Sequence, residues 1–84
     1  MNKFIENDIV RLLVPVQAYT EEGRECELLP GLEGIVILAT EAHPGVQFAE
    51  FPVDVIDENG AVDEWPDYAE VKLTDDQLEL VRRP

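Results

Sequence analysis

Gly34-Ile35-Val36-Ile37-Leu38-Ala39-Thr40 is the stretch on which the reading of the fold depends. Its apolar run is too short for a typical buried helix, and its β-branched residues suit a strand covered on more than one side. Turn chemistry bounds it: Leu28-Leu29-Pro30-Gly31 lies upstream and His43-Pro44-Gly45 downstream. Working outward, Asp8 to Val16 places Val10, Leu12, Val14 and Val16 on one parity, the period-two signature of a strand with a buried face. Pro15 argues against a helix there, because it would remove an intrahelical hydrogen bond.

Beyond the second turn, Val46 to Asp57 carries Phe48, Phe51, Val53, Val55 and Ile56. Its parity changes between Phe48 and Phe51, close to Pro52, which predicts a bulge or an edge strand. Asp57-Glu58-Asn59-Gly60 is a hairpin signal, since Asn-Gly tolerates the positive φ angles that tight turns demand. The returning strand is expected over Tyr68 to Leu73, after an acidic insertion, Ala61 to Asp67, that holds Trp65-Pro66. Residues 1 to 7 read as a short lead-in and Gln17 to Glu27 as a long exposed loop. Thr74-Asp75-Asp76-Gln77 has capping-box spacing, so a helical turn starts there. The chain beyond that turn has two readings: Leu78, Leu80 and Val81 allow a closing strand, and Arg82 and Arg83 would equally complement the dipole of a longer helix.

Strands of this number and length, with a helical turn before the last, predict an all-β fold: a small SH3-like antiparallel barrel of about five strands. A chain of 84 residues supports one core, so residues 1 to 84 are expected to form a single domain with Ile35, Ile37, Val53, Val55, Val71 and Leu73 inside. The pieces Asp8-Ile9-Val10-Arg11-Leu12, Pro30 to Val36, Val53 to Gly60 and Val71 to Leu78 make the chain resemble the bacterial domain of unknown function 4926 family. That resemblance implies a barrel and little chemistry. The Gln17 to Glu27 loop and the Ala61 to Asp67 insertion depart from the family's usual brevity.

Charge narrows the function classes. Six Lys and Arg stand against 19 Asp and Glu, a formal net charge of −13, and no Lys or Arg occurs between Glu25 and Glu70. Binding to nucleic acid depends on neutralising phosphates, and anionic membranes attract basic segments, so both partners are disfavoured. The apolar runs are too short to span a bilayer, the N-terminus lacks a signal layout, and one cysteine forms no internal disulfide. A cytoplasmic protein, monomeric or weakly dimeric, is the expectation.

Few residues offer catalysis. There is one His, one Cys and no Ser, so Cys26 with His43 is the sole nucleophilic pairing to consider. Asp57, Glu58, Asn59, Asp63 and Glu64 cluster as oxygen ligands would, but with Asp57 as the first position Gly60 stands fourth, where a calcium loop needs glycine sixth. No metal or cofactor is expected. Trp65 and Tyr68, with Asp63, Glu64 and Asp67 around them, have the composition of a partner-binding spot: aromatic rings in an acidic rim. The leading expectation is therefore a non-enzymatic interaction module, antitoxin-, immunity- or regulator-like, that binds a basic protein surface. Two alternatives stay open: an acidic DNA-mimic inhibitor, and a small enzyme or enzyme subunit with a pocket near Cys26 and His43.

Overall fold

A computed structural model describes residues 3–53 and 67–84. Seven strands occur among them: β1 (Ile9–Leu12), β2 (Val16–Tyr19), β3 (Glu25–Leu28), β4 (Glu33–Ala39), β5 (Val46–Val53), β6 (Asp67–Thr74) and β7 (Leu78–Arg82). A 3-10 turn, Asp75–Gln77, precedes β7. Five strands form one antiparallel sheet in the order β6-β5-β4-β1-β7, and β2 and β3 form a separate two-stranded ribbon. The all-β class and the turn before the last strand agree with the sequence reading. Among the described residues the two sheets do not close by strand pairing into the single barrel expected. They meet where Thr20 bridges Ala69 and the Glu21 N–H donates to the Tyr68 carbonyl at 2.9 Å.

The helical turn ends as soon as it has formed. The Gln77 side-chain oxygen accepts from the Thr74 N–H at 2.9 Å, and the chain returns to extended geometry at Leu78. β7 then pairs with β1, with Leu78 opposite Leu12, which settles the closing strand over the longer helix.

Several expectations need correction. Gln17 to Glu27 is a β2–β3 hairpin rather than a loop, with Ala18 opposite Cys26 and Val16 opposite Leu28. Ala18 and Leu28 are buried on its inner face, and Gly23, at φ 84°, supplies the turn. The single strand expected over Asp8 to Val16 breaks around Leu13 to Pro15, where the Leu13 N–H donates to the Gln77 carbonyl. The parity change near Pro52 marks neither a bulge in β5 nor an edge strand: β5 lies between β4 and β6, and its ladder with β6 runs unbroken from Val46 opposite Thr74 to Val53 opposite Asp67. The irregularity lies instead in β4, between Val36 and Leu38.

The inward face of β4 also differs from expectation. Val36 is fully buried, and Ile35 and Ile37 are only half-buried. Gly34 sets this parity: a Cβ there would stand 2.6 Å from the Phe51 ring and 2.5 Å from the Glu50 carbonyl oxygen. Phe51 thus packs against bare backbone, and Ile35 is turned to the opposite face. The core comprises Phe4, Val10, Leu12, Ala18, Leu28, Val36, Ala49, Phe51, Ala69, Leu73 and Leu78. Of the six predicted core residues, Leu73 is buried there, Val53 and Val71 pack against it half-buried, and Val55 lies outside the described residues.

The lead-in is more than a tail. Phe4 and Asp8 are both fully buried. The Asp8 carboxylate accepts from Arg83 Nε and a terminal Arg83 nitrogen, each at 2.9 Å, and from the Ile5 N–H at 3.0 Å. Arg83 also donates to the Lys3 carbonyl at 3.2 Å, so the segment before β1 is tied to the segment after β7. The guanidinium holds the Asp8 carboxyl below its usual range, against the opposing effect of burial.

Candidate functional site: the outer face of the sheet

Directly opposed residues in a sheet share a face, so strand register states what the outer surface presents. Four strands contribute one row across it. Ile9 of β1 stands opposite Ile35 of β4, Ile35 opposite Glu50 of β5, and Glu50 opposite Glu70 of β6. Beside it, Pro52 is opposite Tyr68. Ile9, Ile35, Glu50, Pro52 and Tyr68, with Glu33, line a shallow depression on this face. Its centre is apolar and its edge acidic. Tyr68 is 38% exposed there.

The Glu50–Glu70 pair is the unusual element of the row. Opposed residues place their Cβ atoms only about 5 Å apart, and like charges in that relation destabilise a sheet. Neither carboxylate takes part in an ion pair among the described residues. The same face shows what compensation looks like. Arg11 of β1 lies opposite both Glu33 and Glu79, with guanidinium nitrogens 3.7 and 3.8 Å from their carboxylates. Arg11 thus bridges two acids from neighbouring strands, whereas no cation among the described residues comes within ion-pair distance of Glu50 or Glu70, Lys72 being the next residue along their face.

A second concavity lies further along the sheet, at the β4–β5 turn. Leu38, Thr40, His43, Val46, Phe48 and Lys72 line a cleft of about 250 Å³. Leu38 faces Phe48 and Phe48 faces Lys72 in register, so three adjacent strands floor it. The turn above is held by Thr40 and His43 carbonyls, which accept from the His43 and Val46 N–H groups at 3.4 and 3.3 Å.

The residues singled out from sequence are placed unevenly. Trp65, Asp63 and Glu64 lie outside the described residues, as do the Asn59-Gly60 hairpin and the Asp57-Glu58-Asn59 cluster. Tyr68 is on the outer face. Asp67 precedes it on β6 and therefore points inward, where it is 7% exposed. One Asp67 oxygen accepts from the Tyr68 N–H at 2.9 Å, and the other has no partner among the described residues. Cys26 is on the β2–β3 ribbon, packed against the core, and His43 lines the cleft at the β4–β5 turn. Burial raises the Cys26 pKa, and the negative Asp67 carboxylate adds to the rise, so the thiolate a nucleophile needs is disfavoured. Among the described residues no group of His, Cys, Asp or Glu side chains is arranged to hold a metal ion, and no helix is long and apolar enough to cross a membrane.

Sequence reasoning missed Glu50, Glu70, Pro52 and Ile35 as a site. Their association is a matter of register between distant strands, and the one local sign of it was the outward parity of Glu70 beside Tyr68. No family model, curated protein or solved structure matches the chain.

Proposed function

We propose that the chain is a non-enzymatic protein-interaction module that receives a basic partner on the outer face of its five-stranded sheet. The observation that carries this reading is the uncompensated Glu50–Glu70 pair, set beside the apolar surface of Ile35, Pro52 and Tyr68. A partner's Arg or Lys placed between the two carboxylates does for them what Arg11 does for Glu33 and Glu79. The apolar centre then supplies the contact that persists after encounter, and the acidic field of a chain at −13 guides the approach. An antitoxin-, immunity- or regulator-like role suits a small acidic module of this kind, and the resemblance to the domain of unknown function 4926 family adds a barrel-like fold without an activity.

The test is kinetic. With the partner isolated from the native host, association should slow as NaCl rises, because steering between exposed charges is screened beyond about 8 Å at physiological ionic strength. Glu50→Lys should lower the association rate. Tyr68→Ala should leave that rate nearly unchanged and shorten the lifetime of the complex, as the loss of an aromatic anchor does. An association rate indifferent to both salt and Glu50→Lys would overturn the reading.

A further inference from the structure

The cleft at the β4–β5 turn is lined by one lysine and no carboxylate, on a molecule dominated by acids. Asp and Glu make up 19 of 84 residues, yet none is among the six that line it. Leu38, Val46 and Phe48 provide an apolar floor, while Lys72 and His43 bring the nitrogen donors. The Lys72 ammonium forms no ion pair among the described residues, although the chain has a threefold excess of acids over bases. Glu70, two positions earlier on β6, faces Glu50 rather than lining the cleft. An unpaired cation at the edge of an apolar hollow complements a ligand with an apolar body and one negative head. The space, about 250 Å³, accommodates a single ring or a branched aliphatic group rather than a nucleotide or an extended chain.

We propose that this cleft binds a compact apolar carboxylate. The apolar body rests on Phe48, Leu38 and Val46. The carboxylate accepts hydrogen bonds from the Lys72 ammonium and from a ring N–H of His43. Glu50 and Glu70 neighbour Lys72 on the same face of the sheet, and the Asp75 carboxylate lies beside Gly45 of the turn, so nearby acids oppose the anion and hold its affinity low, while those beyond about 8 Å are largely screened at physiological salt. This inference does not rest on the partner-binding reading, and none of the measurements below needs the partner.

Titration of the full chain with sodium phenylacetate, followed through backbone amide signals, tests it. Phenylacetamide serves as the neutral isostere and benzylamine as the cationic one. Phenylacetate should saturate with a dissociation constant on the order of 1 mM, as expected of so small a ligand. The shifts should centre on Leu38, Val46, Phe48 and Lys72. Phenylacetamide should bind about fivefold more weakly, and benzylamine more weakly still. Lys72→Gln, a change at an exposed side chain, should bring phenylacetate to the level of phenylacetamide and leave phenylacetamide binding unchanged. Equal binding of acid and amide to the native chain, tighter binding of benzylamine, shifts centred elsewhere, or phenylacetate binding unaffected by Lys72→Gln would each overturn the proposal.

Discussion

Asp8 shows how much one residue can contribute when it is buried with all its partners in place. Its carboxylate is inaccessible to water and accepts from both Arg83 and the Ile5 backbone. Asp8→Asn keeps one acceptor oxygen but removes the charge and sets an amide NH2 against donors that the second oxygen had satisfied, so it should lower stability at pH 7 by roughly 2 kcal/mol. The sign of the pH dependence is set by the direction of the shift. A carboxyl whose folded pKa lies below its ordinary value of 3.8 contributes fully above that value, and the contribution is lost as pH falls through the lower, folded pKa. Urea unfolding midpoints of the native chain and of Asp8→Asn should therefore differ at pH 7 and converge as pH drops below about 4. A gap of the same size at pH 7 and pH 2 would show that the interaction with the charged carboxylate is not what stabilises the fold. Arg83→Met should move the native chain in the same direction.

Strand pairing is the scale at which the outer face acquires its character. Glu50 and Glu70 are ordinary exposed acids in sequence, and only the register of β5 against β6 sets them opposite one another. If they repel, Glu70→Lys should convert the pair to an attractive one and raise stability by about 0.5 kcal/mol, a few degrees in melting temperature for a chain of this size. A melting temperature unchanged or lowered would mean that the two carboxylates already avoid each other. A stabilising change that also weakened partner binding would mark the native pair as kept for function at the expense of the fold.

The legible elements were those with strong local chemistry. β6 alternates cleanly, the Thr74 to Gln77 turn carries its own capping residues, and β4 is a continuous apolar run between two turn signals. β2 and β3 were hidden because their inward residues, Ala18 and Cys26, are small and contrast little with polar neighbours. The parity of β4 was hidden for the opposite reason: apolar residues occupy both of its faces, and the decision falls to the missing side chain of Gly34 beneath Phe51. Of the candidate site, Tyr68 was legible as an exposed aromatic. Its neighbours Pro52, Glu50 and Ile35 were not, since they reach it across the sheet rather than along the chain.

For the molecule as a whole, the imbalance of charge sets long-range repulsion against a small number of local attractions. The bridges from Arg11 to Glu33 and Glu79 and from Arg24 to Glu22 lie at 3.2 to 3.8 Å between exposed side chains, and such pairs contribute little. The Asp8–Arg83 contact is the one ion pair among the described residues with a fully buried partner, and salt screens it less than the others. A net charge of −13 on 84 residues, by contrast, is a sum over many exposed carboxylates whose mutual repulsion opposes the compact state. At low ionic strength these charges interact over about 30 Å, further than a small domain is wide, and at physiological ionic strength over about 8 Å. Screening therefore relieves more repulsion than attraction, and the melting temperature at neutral pH should rise as NaCl increases from about 0.01 to 0.15 M. The rise should then level off, because the remaining interactions are between near neighbours. Doubly substituting Glu50→Gln and Glu70→Gln should shrink the salt effect without abolishing it, since many acids remain elsewhere. A melting temperature that fell with added NaCl would show instead that the sparse ion pairs outweigh the collective repulsion, and that the acidic surface is not held at a cost to stability.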